Sequence, residues 1–264
     1  MPLKNSRILL TGATGGLGQE LARQLGDAGA ALLVTGRDDR RLASLTASLG
    51  TSAASVCADL ERPADIVALA GAARDFGINT LINNAGVSAF ALLENQDWQT
   101  IERLLATNLE APMRLTHALL PWLRAQPQAA VVNIGSTFGS LPFPGFVAYS
   151  TAKAGLRGFS QALRRELADS SVSVIHIAPR AIDTPLNSDP VNTLNRALGN
   201  STDRAEQVAG QVLRALRRGA GEYHFGFPER FFAWLNGVAP SLIDGALSGK
   251  LAIIKQHASP SESL

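Results

Sequence analysis

The sequence predicts an α/β fold in which helices cover both faces of one doubly wound parallel sheet. Short runs of aliphatic and β-branched residues alternate with longer amphipathic stretches, a pattern typical of βαβ units. A glycine-rich octet at residues 11–18 follows the first such run and leads into a helical period. The 264 residues suffice for one large core but not for two enzyme domains with linkers. We therefore expect a single domain over residues 1–264.

Periodicity assigns the individual elements. Six segments have the composition of buried strands, namely residues 8–10, 31–35, 54–57, 80–83, 130–134 and 172–177. Helical periods fill the intervals, at residues 17–28, 40–49, 64–76, 98–124, 150–169 and 203–218. Residues 184–201 are rich in Asn, Pro and Ser, and we expect them to form a mobile lid over the strand ends.

The C-terminal segment at residues 226–264 has an amphipathic pattern. Apolar residues recur there at helical spacing, as Phe231, Trp234, Leu235 and Val238. Such stripes are usually buried, so we expect this one in the core or at a subunit interface. Peripheral contact with a membrane surface, or a place in a substrate channel, is the alternative.

Composition argues against several classes of function. The chain has 24 Lys and Arg against 22 Asp and Glu, and the net charge of +2 predicts no nucleic-acid partner. The single cysteine, Cys57, excludes an internal disulfide, and His117 and His176 lack partners at metal-ligand spacing, so no metal is expected. No apolar run approaches the roughly 18 residues of a transmembrane helix. With no signal-peptide pattern at the N-terminus, we expect a cytoplasmic protein.

The glycine-rich octet stands between a predicted strand and a predicted helix, as a dinucleotide-binding loop requires. Glycine allows the backbone to approach a pyrophosphate, and the helix N-terminus attracts its charge. The octet fits two spacings, one with Gly12, Gly16 and Gly18 and one with Gly12, Gly15 and Gly18. Glycines alone therefore do not choose between two subgroups of such proteins.

The end of the second predicted strand bears on the choice of nucleotide. A site that prefers NAD usually offers an acidic residue there, whereas this chain has Gly36 followed by Arg37. A guanidinium can hold a 2′-phosphate in a bidentate pair. NADP(H) is therefore the expected cofactor and NAD(H) the less favoured one. The alternative is that Arg37 is a solvated surface charge, like Arg40 and Arg41.

Three further residues suit proton transfer to a carbonyl oxygen. Tyr149 and Lys153 are four positions apart and share a helix face, and Ser136 ends the strand-like run at residues 129–135. An unperturbed phenol has a pKa of ~10, so a cation such as Lys153 would help Tyr149 exchange a proton near neutral pH. The Ser136 hydroxyl would hydrogen-bond the oxygen. The set suits carbonyl reduction or alcohol oxidation.

Together these motifs resemble those of the classical short-chain dehydrogenases/reductases. The resemblance extends from residue 11 to about residue 184 and includes Asp59-Leu60, Asn83-Asn84-Ala85-Gly86 and Asn108 within a helix. It implies a Rossmann-type fold and the catalytic residues Asn108, Ser136, Tyr149 and Lys153. It also implies a cofactor site formed by Thr11, Gly12, Thr14, Gly15, Gly16, Leu17, Gly18, Arg37, Asp59, Leu60, Asn84, Ala85, Gly86, Tyr149, Lys153, Pro179, Ile182 and Thr184.

The resemblance implies a chemistry in which Tyr149 gives a proton to the substrate oxygen and Ser136 holds that oxygen. Lys153 would lower the pKa of Tyr149 and bind the nicotinamide ribose, while Asn108 would order a water. An apolar lid favours a lipophilic or acyl-type ketone or alcohol, with the side chains Leu186, Val191, Leu194 and Leu198 beside the expected pocket wall Phe146.

The family also implies a homodimer or homotetramer, formed through the long helices that begin near Trp98 and Tyr149. One position departs from the family, since Arg180 follows Pro179 where a glycine is usual. The sequence leaves open whether Arg180 contacts a phosphate, pairs with a substrate carboxylate or phosphopantetheine, or faces solvent.

Two other functions remain as alternatives. A catalytically idle NADP-binding sensor or scaffold of the same fold is the first, and the unusual arginine keeps it open. A sugar-nucleotide epimerase or dehydratase of the extended branch is the second, because the glycine octet permits it. That branch needs a larger substrate domain than the ~80 residues after position 184 supply.

Overall fold

A seven-stranded sheet forms the centre of the computed structural model, which describes residues 3–258. Its order is β3-β2-β1-β4-β5-β6-β9, and every pair of neighbouring strands is parallel. Its strands are β1 (Arg7–Leu10), β2 (Ala31–Gly36), β3 (Ala53–Cys57), β4 (Thr80–Asn83), β5 (Ala129–Ile134), β6 (Val172–Ala178) and β9 (Gly221–His224). The strands β7 (Ile182–Asp183) and β8 (Asp203–Arg204) form a separate parallel pair.

Helices cover both faces of the sheet. They are α1 (Gly16–Asp27), α2 (Asp39–Leu49), α3 (Pro63–Phe76), α4 (Trp98–Leu105), α5 (Ala111–Arg124), α6 (Val147–Glu166) and α8 (Ala205–Arg218). Side chains alternate along β1, so that Ile8 and Leu10 pack with α1 and α8 while Leu9 packs with α3 and α5. The predicted doubly wound parallel sheet is confirmed.

The sequence misjudged several elements. It placed six buried strands, but β9 is a seventh, and β3 lies half-exposed at the sheet edge with Cys57 exposed. The predicted helix over residues 98–124 is interrupted by a π-helical turn at Ala106–Glu110. The predicted helix over residues 203–218 begins only at Ala205, because the two preceding residues pair with β7.

The predicted lid contains a helix, α7 (Asp189–Ala197), whose Val191 and Leu194 are buried. Beyond β9 follow α9 (Glu229–Val238), α10 (Pro240–Ser248) and α11 (Leu251–His257), and α11 packs against α7. The last six residues of the predicted C-terminal segment, 259–264, lie outside the described residues.

The apolar stripe of α9 does not enter the core as expected. Phe231, Trp234 and Val238 are 46%, 60% and 66% exposed, because the inner face of α9 is instead formed by the buried Ala233 and by Asn236. Of the two places expected for this stripe, the core is therefore wrong, and the subunit interface stays a prediction. Within residues 3–258, no helix has the length and apolar character needed to cross a membrane.

Candidate active site

The carboxyl ends of four adjacent parallel strands carry most of the predicted site residues. The glycine octet follows β1, Asn84 follows β4, Ser136 follows β5 and Pro179 follows β6. Parallel strands end at the same edge of a sheet, so segments far apart in sequence meet there. The order β1-β4-β5-β6 brings them into one cleft.

The geometry of the glycine loop distinguishes the two spacings that the octet allows. A Cβ atom added at Gly16 would lie 2.7 Å from Thr184 Cγ2, which is too close for a side chain. A Cβ at Gly15 would make only an ordinary contact, 3.4 Å from the carbonyl oxygen of Gly12. Gly12 itself has a φ of +63° and lies against Ala85. The packing of Thr184 against Gly16 thus favours the Gly12, Gly16, Gly18 spacing.

The Asn84-Ala85 turn fastens the glycine loop to the sheet. The Thr11 hydroxyl accepts hydrogen bonds from the amides of Asn84 and Ala85, each at 3.0 Å. Asn84 Nδ2 donates to the carbonyl oxygens of Thr11 and Gly12, at 2.9 and 3.2 Å. These bonds fix the loop in place independently of any ligand.

The loop leads into the N-terminus of α1, which suits a phosphate group. Gly15 is the N-cap and has no side chain to satisfy the first amides, and no acidic residue occupies the first turn. Thr14 is partly exposed and lines the loop, whereas the Leu17 side chain is buried in the core. Of these two predicted contacts, Leu17 offers a ligand only its backbone.

Two arginines flank the loop, although the sequence suggested a role only for Arg37. Arg37 is 55% exposed on its side chain and lies 3.7 Å from Glu61, which pairs more closely with Arg103 at 2.9 Å. Arg41 donates to the carbonyl oxygen of Thr14 at 2.6 Å. Arg41 follows Arg37 by four residues and lies in the first turn of α2. This position could have indicated from the sequence that both arginines lie near Gly36.

Tyr149, Ser136 and Lys153 converge as predicted. Tyr149 and Ser136 share a hydrogen bond, and Lys153 Nζ lies 5.8 Å from the centre of the Tyr149 ring. Lys153 is 5% exposed and donates to the carbonyl oxygen of Ile134 at 3.0 Å. The Ser136 hydroxyl accepts from the Phe138 amide at 3.1 Å.

The protonation of this group differs from the expectation. Burial raises the pKa of Tyr149, and the hydrogen bond with Ser136 offsets only part of that rise. Burial lowers the pKa of Lys153 to about 8. The net shift of the Tyr149 pKa is therefore upward, because desolvation outweighs the hydrogen bond that lowers it.

Asn108 lies in the π-helical turn and is fully buried. Its Oδ1 accepts from the Val87 amide at 3.0 Å, and its Nδ2 donates to the Val87 carbonyl oxygen at 2.8 Å. A Cβ at Gly86 would lie 2.9 Å from Asn108 Oδ1 and 3.6 Å from Lys153 Nζ. Asn108 and Lys153 therefore both approach Gly86.

An aromatic wall lines the Tyr149 side of the cleft. Tyr149 makes edge contacts with Phe138 and Phe146, at 6.4 and 6.1 Å between ring centres. Phe143 stacks on Phe138 at 5.2 Å, and Phe90 stacks on Phe146 at 4.9 Å. From the sequence only Phe146 was expected in this wall, since the others lie in irregular segments without periodicity.

Comparison with known proteins identifies the family. The model of the short chain dehydrogenase family matches residues 6–194, most of the chain. The chain belongs to the short chain dehydrogenase family. It is 30% identical to a 3-oxoacyl-acyl-carrier-protein reductase of Vibrio cholerae over 188 residues, 70% of this chain and 77% of the relative.

Two solved structures of short-chain dehydrogenases extend the likeness over nearly the whole fold. The protein from Streptomyces avermitilis superposes with a TM-score of 0.79 at 27% identity, covering 95% of this chain and 98% of that one. The protein from Sphingobium yanoikuyae, in complex with NADPH, gives 0.76 at 29% identity, covering 94% and 95%.

Arg180 of this short chain dehydrogenase is held by two acids. Its guanidinium donates to Asp203 at 2.7 Å and to Glu229 at 3.4 Å, and its side chain is only 18% exposed. The hydrogen bond with Asp203 raises the pKa of Arg180. Arg180 therefore joins the start of β8 to the start of α9, a role that neither its sequence position nor the family suggested.

The remaining predicted residues border the same cleft or its adenine side. Pro179 accepts two hydrogen bonds from Thr137, Ile182 packs on the core, and Thr184 touches Gly16. Asp59 accepts from the Glu61 amide at 3.1 Å, and Leu60 packs on the core beside it.

In the part of the chain that the structure describes, no cluster of three or more His, Cys, Asp or Glu could hold a metal.

Proposed function

We propose that this short chain dehydrogenase is a single-domain, NADP(H)-dependent oxidoreductase that reduces a lipophilic or acyl-type ketone to the alcohol. The observation that carries the proposal is the convergence of Tyr149, Ser136 and Lys153 beside the glycine loop. A proton donor, an oxygen-binding hydroxyl and a cation at one strand edge are the groups that carbonyl reduction needs.

The residues around the loop fit a dinucleotide. The uncapped N-terminus of α1 would receive the pyrophosphate, and Arg37 and Arg41 would receive a 2′-phosphate. The NADPH bound by the Sphingobium relative supports a nicotinamide cofactor for this chain as well. When bound, the nicotinamide supplies the hydride that the ketone carbon accepts.

The proton comes from Tyr149. A raised pKa keeps the phenol neutral at pH 7, which is the form that gives a proton to the developing alkoxide. Ser136 would donate its hydroxyl proton to the same oxygen and hold it beside Tyr149. Because the oxidation direction would need the phenolate instead, the neutral phenol favours reduction at neutral pH.

Lys153 and Asn108 support this proton transfer. With a pKa of about 8, Lys153 is mostly protonated at pH 7 and stabilises the phenolate left after the transfer. One lone pair of Asn108 Oδ1 is used by Val87, and the second would hold the water through which Tyr149 regains its proton.

The cleft favours an apolar substrate. Phe138, Phe143 and Phe146 form a wall beside Tyr149, and the lid residue Leu186 is 46% exposed. An acyl chain would contact these surfaces without leaving polar groups unpaired. The 3-oxoacyl-acyl-carrier-protein reductase among its relatives supports an acyl-type ketone.

We further propose that the chain is cytoplasmic and forms a homodimer or homotetramer. Trp98, Met113 and Val147 lie exposed on α4, α5 and α6, at 66%, 42% and 43%, as apolar residues of a helical interface would. The exposed stripe of α9 provides a second apolar surface, for another subunit or for peripheral membrane contact.

The test is consumption of NADPH and NADH with a panel of ketones that includes 3-oxoacyl thioesters and hydrophobic cyclic ketones. Tyr149→Phe should lower turnover by about 10²–10⁴-fold without unfolding the chain. Tyr223→Phe is the matched control, because that hydroxyl donates to the Gly219 carbonyl oxygen, outside the cleft. Tight NADPH binding without turnover of any ketone would replace the reductase by a sensor or scaffold function.

A further inference from the structure

A network of hydrogen bonds joins buried polar side chains across β4, β5 and β6, next to the candidate active site. Asn83 Nδ2 donates to Thr116 Oγ1 at 3.3 Å and to Asn133 Oδ1 at 2.8 Å. Asn133 Nδ2 donates to Ser160 Oγ at 2.9 Å, and Ser160 Oγ lies 3.2 Å from His176 Nδ1. Each of these side chains is at most 3% exposed, so the network is inaccessible to solvent.

The hydrogen bonds around Ser160 determine where His176 carries its proton. Ser160 donates its only proton to the Leu156 carbonyl oxygen at 2.7 Å. Its oxygen must therefore accept from both Asn133 Nδ2 and His176 Nδ1. His176 is thus a neutral imidazole protonated on Nδ1, in agreement with the burial that lowers its pKa to about 3.

The opposite edge of the imidazole faces the residue before Ser136. His176 Nε2 is buried and has no hydrogen-bond partner among the described residues. A Cβ atom at Gly135 would lie 2.5 Å from both Nε2 and Cε1 of His176. The ring therefore fills the space that a side chain at position 135 would need.

The backbone on either side of Ser136 is held by separate hydrogen bonds. Gly135 donates to the Ile177 carbonyl oxygen at 2.7 Å, and the Thr137 amide donates to that of Pro179 at 2.9 Å. The imidazole edge adds a steric contact to these bonds, directly against Gly135. A shift of the ring would displace the peptide that carries Ser136.

We propose that His176 is a positioning residue for Ser136: its neutral ring, oriented by Ser160, packs against Gly135 and sets the direction of the Ser136 hydroxyl. The expected effect of His176 on kcat rests on the proposed reductase function. Its expected effect on the position of the Ser136 hydroxyl does not depend on turnover. A smaller side chain at position 176 would leave the Ser136 segment free to move toward β6.

Two substitutions separate the ring contact from the buried hydrogen bond. His176→Asn retains a donor for Ser160 but removes the ring atoms that touch Gly135, and His176→Ala removes both. Each should lower kcat by about tenfold or more, because displacing a catalytic group by a fraction of an ångström is costly, while the Kd for NADPH changes less than about twofold. Val174→Ala, at a buried position on the same face of β6, controls for a core cavity.

Combination with Ser136→Ala shows whether His176 acts through that serine. In the Ser136→Ala protein, His176→Asn should lower kcat no further, since the hydroxyl to be positioned is gone. An equal loss of kcat with and without the Ser136 hydroxyl would overturn the proposal. A Kd for NADPH that weakens in parallel with kcat would overturn it as well.

The effect of His176 on the position of the Ser136 hydroxyl is measured without substrate. The Phe138 amide donates to Ser136 Oγ, so its hydrogen exchange, followed by NMR, reports whether the hydroxyl keeps its position. Exchange at Phe138 should quicken by about tenfold in His176→Asn and stay unchanged in Val174→Ala. Unchanged exchange in His176→Asn would refute the positioning role, whereas absent turnover in the wild type would refute the reductase alone.

Discussion

Lys153 Nζ donates to the carbonyl oxygen of Ile134, two residues before Ser136, at a distance of 3.0 Å. The bond ties α6 to the end of β5 and sets the distance between the lysine and the serine segment. It also explains how a cation that is 5% exposed is tolerated, because one of its protons has an acceptor. The same burial makes the lysine sensitive to pH.

We expect the free energy of unfolding to depend on Lys153 between pH 8 and pH 10. The folded chain releases the Lys153 proton near pH 8, whereas the unfolded chain holds it to about pH 10.5. The unfolded state therefore binds more protons in this window, and stability should rise with pH, by on the order of 3 kcal/mol. Urea unfolding of the wild type and of Lys153→Met should show the rise only in the wild type. Equal slopes would contradict it.

Arg37→Ser should weaken NADPH binding by about 10–100-fold and leave NADH binding nearly unchanged, since only NADPH carries the 2′-phosphate. Fluorescence titration with both nucleotides measures the effect. Arg40→Ser, at an exposed neighbouring position, is the control. If Arg37→Ser weakens both nucleotides alike, the arginine does not read the 2′-phosphate.

Arg180→Met should lower the free energy of unfolding by about 1–3 kcal/mol, because Asp203 and Glu229 are 13% and 22% exposed and would lose their partner. The triple variant Arg180→Met, Asp203→Asn, Glu229→Gln should recover much of this loss. Urea unfolding gives both values. A raised KM with unchanged stability would instead place Arg180 at the substrate.

Asn84→Ala should weaken NADPH and NADH binding to a similar extent, because Asn84 Nδ2 holds the carbonyl oxygens of Thr11 and Gly12 in the loop. We expect about a tenfold increase in Kd for each nucleotide and a loss of about 1–2 kcal/mol in unfolding free energy. Asn200→Ala, at an exposed position, serves as control. Selective loss of NADPH would show that Asn84 acts on the 2′-phosphate side.

The sequence was most informative where local pattern decides the outcome. Strands β1, β2, β4, β5 and β6 were found because parallel strands buried on both faces read as continuous apolar runs. The edge strand β3 was found as well, but its expected burial was wrong. Strand β9, Gly-Glu-Tyr-His, was missed because it is a sheet edge, paired only with β6 and half-covered, and so lacks such a run. The π-helical turn left one trace in the sequence, an asparagine inside a helical period.

Features that depend on distant partners were not predictable. Arg180 finds Asp203 and Glu229, which lie 23 and 49 residues further along the chain, so its own surroundings in sequence reveal nothing. The stripe of α9 has the spacing of a core helix, yet Glu229 and Asn236 turn the opposite face inward through their bonds to Arg180 and Ser140. The fold class could be predicted from the alternation of strand-like and helical patterns. The pairing of side chains that are distant in sequence could be seen only in the folded structure.

The π-helical turn at Ala106–Glu110 fixes the number of residues that can lie between α4 and α5. A π turn accommodates one residue more than an α-helical turn, so deleting a residue there would convert α4, the turn and α5 into one regular helix. One residue corresponds to a rotation of about 100° around the helix axis. Either Asn108 or the buried face of α5 would then point away from its partners. A single-residue insertion or deletion, which a surface loop tolerates, would thus disrupt buried contacts of this helix.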